Sequence, residues 1–204
     1  KFTPVIKKHK NIILYLHGGG YSIGSTLSHR PLIERLCAAF GGIIFSLDYR
    51  LAPENKFPTP LVDVTAAYQW LISIGSSSNQ IAIVGDSAGG GLALATLINL
   101  REESFPQPSC GVLISPWLDL SSSGNSITKN ENLDPIINKE TLSFFASKYL
   151  GGALPTTPLA SPLFADLHDL PPLFLQVGEK EMLLDDSIRL QQRITTLNTE
   201  LKLK

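Results

Sequence analysis

The sequence predicts an α/β fold built on a mainly parallel sheet, and three observations lead there. Five short apolar runs are each bounded by turn residues: Ile12 to Leu16, Ile43 to Leu47, Ile81 to Val84, Gly111 to Ile114 and Leu173 to Val177. Their near-continuous hydrophobicity, without in–out alternation, marks strands covered on both faces, as in a parallel sheet. Segments with helical spacing of apolar residues lie between the runs, and that alternation implies right-handed strand–helix–strand crossovers. Finally, 204 residues, 43% of them hydrophobic and 17% charged, with no obvious linker, suit one domain able to bury a sizeable core.

Taken in order, the basic turn Lys7-Lys-His-Lys10 reads as solvated surface ahead of the first run, which leads directly into His17-Gly-Gly-Gly20. Ser28 to Phe40 reads as a helix in which Leu32, Ile33, Leu36, Cys37 and Phe40 share a face. Ser28 is the expected cap, Pro31 falls in the first turn, and Gly41-Gly42 ends the element. Leu61 to Ile74, Ala88 to Leu100 and Asp185 to Leu197 are further helices by the same pattern. Residues 119–160 interrupt the alternation with a Ser-rich loop, a polar stretch, a helix from Lys139 to Tyr149 and a Pro-rich return. Such an insertion reads as lid-like or cap-like, with an unusually long structural crossover as the alternative. Leu201-Lys-Leu-Lys204 alternates like the start of one more strand, and the chain opens on Lys1-Phe-Thr3 with neither a methionine nor a signal pattern. The expectation is therefore a single domain over residues 1–204, truncated at both ends.

Several function classes receive no support. A net charge of −1 without a basic run gives no electrostatic case for nucleic acid or an anionic membrane. No apolar stretch is long enough to span a bilayer. Cys37 and Cys110 cannot form a disulfide framework; they read as buried free thiols, from which a cytoplasmic location is expected. The glycine-rich loop lacks the Lys-Ser/Thr pair of a phosphate loop, and there is no G-x-G-x-x-G, so nucleotide binding has little support; no cofactor and no metal are expected. Oligomeric state is not legible.

Gly85-Asp-Ser-Ala-Gly89 carries the chemistry. It matches G-x-S-x-G, in which a serine occupies a tight turn between strand and helix and the residues two before and two after it must lack bulk. An apolar run precedes it and a helical pattern follows, the context a nucleophilic serine requires; a glycine-rich turn with a capping serine is the plain alternative. His17-Gly-Gly-Gly20 supplies the complementary feature. Acyl transfer passes through a tetrahedral oxyanion, and the N–H groups of Gly19, Gly20 and Ala88 could form a three-donor hole for it.

Together with these motifs, Asp48-Tyr-Arg-Leu-Ala-Pro-Glu54, Phe57-Pro58, Ser115-Pro-Trp-Leu-Asp119 and Leu170-Pro-Pro-Leu173 make the sequence resemble the hormone-sensitive-lipase-like family of α/β-hydrolases, mostly carboxylesterases. The resemblance runs from about Ile12 to about Arg189. It implies Ser87 as nucleophile, Gly19, Gly20 and Ala88 as oxyanion hole, and a small-molecule ester, of short to medium chain, as substrate. Tyr21, Phe57 and Trp117, with Leu118, are candidates for an apolar substrate pocket, with core packing as the alternative for each. The acid is expected in Gly178-Glu-Lys-Glu-Met-Leu-Leu-Asp-Asp186, because chain order in this fold is serine, acid, histidine. Aligning Leu183 and Asp185 to the family pattern puts it at Glu181, where the family more often has aspartate; Glu179 and Asp185 are the competitors.

No histidine fits the base. His9, His17 and His29 precede the nucleophile, and His168 precedes the acid. The family's base lies after the acid, beyond one more strand. The resemblance thus implies an esterase whose 204-residue form is nearly inactive. Members similar to the family act as plant hormone receptors that keep the serine and lose the histidine, so a small-molecule binding protein is the alternative.

Overall fold

The computed structural model describes residues 1–196 and 201–203. Its elements follow the order β1 (Ile12–Leu16), α1 (Arg30–Phe40), β2 (Ile43–Leu47), α2 (Thr59–Ser73), β3 (Ile81–Asp86), α3 (Ala88–Glu102), β4 (Cys110–Ile114), α4 (Ser126–Lys129), α5 (Lys139–Leu150), β5 (Leu173–Gln176), α6 (Leu184–Thr195) and β6 (Leu201–Leu203). The strands form one parallel sheet in the order β2-β1-β3-β4-β5-β6. The five apolar runs are five of its strands, and the alternating run at Leu201 supplies the sixth. Lys204 and Leu197 lie outside the described residues.

The continuous hydrophobicity of the strands reflects burial on both sides. On one face Leu14, Leu16, Ile81, Ile83, Leu113 and Leu175 join a large core with α2, α3 and the insertion. On the other, Ile13, Tyr15, Ile44 and Val84 pack against Ile33 and Cys37 of α1. Helix α3 is buried along most of its length, which explains its Gly-, Ala- and Leu-rich sequence and the lack of an amphipathic stripe.

Two local expectations change. Ser28 does not cap α1: His29 occupies that position without a side-chain cap bond. The Ser28 hydroxyl instead donates to the Ser25 carbonyl and accepts the Ser25 N–H, closing a turn just ahead of the helix. Leu32 is 40% exposed, because α1 turns only Ile33 and Cys37 fully inward. Residues 119–160, expected as an insertion, lie between β4 and β5 and carry the helices α4 and α5.

Candidate active site

Ser87 follows the last residue of β3, near the middle of the sheet, where the carboxyl ends of parallel strands gather ligand sites. Its backbone, at φ 52° and ψ −121°, lies where residues other than glycine are strained. Three hydrogen bonds hold that conformation: the Ser87 N–H donates to Ile114 O (2.9 Å), and Ser87 O accepts from Trp117 N–H (2.9 Å) and Gly91 N–H (3.1 Å). The flanking glycines are required by space. A Cβ on Gly85 would stand 2.2 Å from Gly89 O, and one on Gly89 would stand 2.1 Å from Leu16 O.

The glycine-rich loop leaves β1 beside this turn. Gly19 and Gly20 have φ of 121° and 58°. Among the described residues, the N–H groups of Gly19, Gly20 and Ala88 find no hydrogen-bond acceptor, and Ala88 is the first residue of α3. Asp86, next to the serine, ties the loop down. Its Oδ1 accepts from Gly18 N–H (3.0 Å) and from the Tyr15 hydroxyl (2.6 Å), and its Oδ2 lies 3.3 Å from His29 Nε2. Burial works against the charged carboxylate, but the bonds from His29 and Tyr15 outweigh it and hold Asp86 below the usual range. The same contact raises the His29 pKa. Asp86 sits inside the motif that identified the serine, yet motif reading gives it no task, because its partners come from β1, the loop and the start of α1.

The loop in which the acid is expected follows β5. Glu181 Oε1 accepts from Gly178 N–H (2.6 Å) and from the Ser115 hydroxyl (2.9 Å), leaving Oε2 without a partner among the described residues. Ser115 reaches it from the end of β4 with a positive φ of 45°. The two competitors are placed differently. Glu179 is exposed, and Asp185 accepts the Ser126 N–H. Asp186 is 2% exposed and accepts from Leu118 N–H (2.7 Å) and Asp119 N–H (3.0 Å); burial pushes its pKa up to about 7.

The four histidines are engaged elsewhere. His9 contacts Phe40 O, and His168 pairs with Asp166. His17 stacks on Tyr49 at 4.4 Å with its Nδ1 on Gly18 O, and burial lowers its pKa. With His29 on Asp86, no histidine among the described residues hydrogen-bonds the Ser87 hydroxyl.

The three aromatic pocket candidates lie behind the glycine-rich loop. Tyr21 and Trp117 are each 1% exposed, and Tyr21 stacks on Tyr149 of α5 at 3.7 Å. Phe57 is half-buried, edge-on to Tyr149 at 5.8 Å. These rings join the loop to the insertion as core. Phe145 makes a closer contact: its ring would lie 2.5 Å from a Cβ on Gly20. A groove of ≈ 460 Å³ between α4 and α5 is lined by Leu120, Ile127, Lys139, Ala146 and Leu150, and neither Ser87 nor Glu181 borders it. Among the described residues no cluster of three metal-ligating side chains occurs, and no helix is long and apolar enough to cross a membrane.

A parallel sheet that ends in a strained serine, beside a glycine-rich loop whose N–H groups meet no acceptor among the described residues, defines the α/β-hydrolase class. Comparison narrows the class. Residues 13–204 match the family described as alpha/beta hydrolase fold. The chain is 44% identical over 180 residues to an acetyl-hydrolase of Streptomyces hygroscopicus, covering 88% of this chain and 60% of that protein. It is 36% identical over 194 residues to an esterase of Acinetobacter venetianus, covering 95% and 64%. The crystal structure of an esterase from the bacterial hormone-sensitive lipase family aligns with a TM-score of 0.95 at 47% identity, over 97% of this chain and 67% of that one. The chain belongs to the hormone-sensitive-lipase-like family of α/β-hydrolases. It spans 60% and 64% of the length of the two curated relatives.

Proposed function

We propose that this chain carries the nucleophile, oxyanion hole and acid of a carboxylic ester hydrolase. The observation that carries the reading is the strained Ser87 beside three N–H groups, of Gly19, Gly20 and Ala88, that no acceptor among the described residues satisfies. In this mechanism the Ser87 oxygen attacks the ester carbonyl carbon while a base takes its proton. The carbonyl oxygen becomes an oxyanion held by the three donors, each worth about 2.7–4 kcal/mol to the transition state in comparable enzymes. Collapse expels the alcohol, which takes the proton from the base. Water, deprotonated by the same base, then cleaves the acyl-enzyme and releases the acid.

Glu181 is the residue we assign to orient the base. Its Oε1 is anchored twice and its Oε2 is unpaired among the described residues, whereas Asp185 is committed to α4. The base itself is a histidine outside residues 1–204, since the four within them bind other partners. The substrate is a short- to medium-chain ester, in keeping with the acetyl-hydrolase and esterase names of the relatives.

Hydrolysis of p-nitrophenyl butyrate by the full-length protein and by the 204-residue chain tests both parts. Losing the histidine of a serine hydrolase costs about a millionfold in kcat, so the shorter chain should turn over barely above background. Fluorophosphonate labelling of the full-length protein should vanish in Ser87→Ala. Absence of labelling in the unsubstituted full-length protein would sink the esterase reading and leave a ligand-binding role. Full turnover by the 204-residue chain would refute the external base.

A further inference from the structure

The segment around α4 presents three polar side chains at four-residue intervals, Ser126, Asn130 and Asp134, and all three bind the acid-bearing loop. Asn130 is 2% exposed and spends both Nδ2 hydrogens there, on Glu179 O (3.1 Å) and Glu181 O (2.8 Å). Asp134 Oδ2 accepts from Met182 N–H at 2.9 Å. The Ser126 hydroxyl donates to Met182 O (2.6 Å) and accepts from Asp185 N–H (3.0 Å), while the Ser126 N–H donates to the Asp185 carboxylate (3.0 Å).

The peptide groups around the Glu181 Cα are thereby fixed in sequence. Its own N–H donates to Gly178 O within the loop (3.1 Å). Its carbonyl is held by Asn130, the next N–H by Asp134 and the next carbonyl by Ser126. Three of these four groups are held by residues 48 to 56 positions earlier in the chain, so the loop's own bonds, Glu181 N–H to Gly178 O and Leu184 N–H to Glu181 O, do not set its conformation alone. Asn130 is the central member. It terminates α4 through its N–H on Ser126 O (2.8 Å), and its carbonyl accepts from Asp134 N–H (2.9 Å), so it links all three.

We propose that Asn130 is a positioning residue for Glu181: its buried amide, supported by Ser126 and Asp134, fixes the backbone from which the carboxylate reaches the base. The insertion therefore shapes the catalytic machinery from behind, whatever it does above the site. The inference rests on Glu181 being the acid. A carboxylate swung by about an ångström leaves the base misoriented, a fault felt in the chemical step more than in substrate binding.

Two variants separate positioning from packing. Asn130→Ala removes the amide, and Asn130→Asp keeps its shape while replacing the donors with acceptors that face two carbonyls. In the full-length enzyme both should lower kcat at least tenfold with KM within twofold. In the full-length protein without substrate, hydrogen exchange of amides 179–183 should quicken more than tenfold in both, with β3 and α3 unchanged. Wild-type kcat in Asn130→Asp would reduce the residue to packing. An effect confined to KM, or unchanged exchange at 179–183, would overturn the proposal. Absence of ester hydrolysis by the unsubstituted full-length protein would count against the esterase reading instead, with the exchange result still deciding whether Asn130 holds the loop.

Discussion

Asp86 shows how one side chain can join two halves of a site. It adjoins Ser87 along the chain and, through Gly18, holds the first peptide of the glycine-rich loop, so the turn and the loop share a carboxylate. His29 faces it, with Tyr15 and His17 as the neighbouring rings at 6.3 and 5.6 Å. The raised His29 pKa contributes stability below about 6.5, which is lost as pH rises through the folded value. The depressed Asp86 pKa contributes above about 4, and that share is lost as pH falls through its folded value. The pair is therefore strongest between about pH 4 and 6.5. His29→Gln should cost about 1 kcal/mol at pH 5.5, allowing for partial exposure, and less above pH 8. Urea unfolding of both forms across that range measures the gap; a gap independent of pH would rule out the ionic component.

At the scale of elements, contact between α3 and the end of β1 sets the geometry of the serine turn. Gly89 meets the Leu16 carbonyl with no room for a methyl group, and neither partner is a flexible side chain. No positive φ is involved, so the cost of Gly89→Ala is steric alone: about 1–3 kcal/mol, or roughly 3–10 °C in Tm for a chain of this size. Thermal unfolding measures it, and an unchanged Tm would mean that α3 slides freely along β1. This contact also explains what the sequence could and could not disclose. Strands and glycines announce themselves locally, since buried strands need apolar runs and a serine turn needs residues without bulk; β1 and β2 begin and end where their apolar runs do. The Asp86 latch and the Asn130 contacts join residues about 50 to 70 apart, and neither has a local signature. Ser126, Asn130 and Asp134 fall in what reads only as a polar stretch, because α4 is a single turn, too short to give a helical pattern. The Ser28 cap failed for a related reason: a local turn with Ser25 competes for the same hydroxyl.

Across the whole molecule, the insertion and the C-terminal helix are joined at a buried carboxyl group. Asp186 at the start of α6 receives the N–H groups of Leu118 and Asp119, where the chain leaves β4 for the insertion, and Asp119 in turn pairs with Arg189 of α6 at 2.8 Å. Full burial outweighs the two amide bonds, so the Asp186 carboxyl titrates near 7 in the fold, against about 3.9 when unfolded. Because the folded value is raised, the folded state holds the proton more tightly, and the associated stability is complete only below about pH 4. It declines as pH rises toward 7, by on the order of 3–4 kcal/mol. Asp186→Asn keeps an acceptor for both amides and cannot ionise, so its stability should stay flat over that interval once the other groups, common to both proteins, are subtracted. Urea unfolding of the two proteins from pH 4 to 8 gives the difference. Parallel curves would mean that Asp186 is already ionised in the fold, held by its amides and by Arg189, and that this junction tolerates a buried charge.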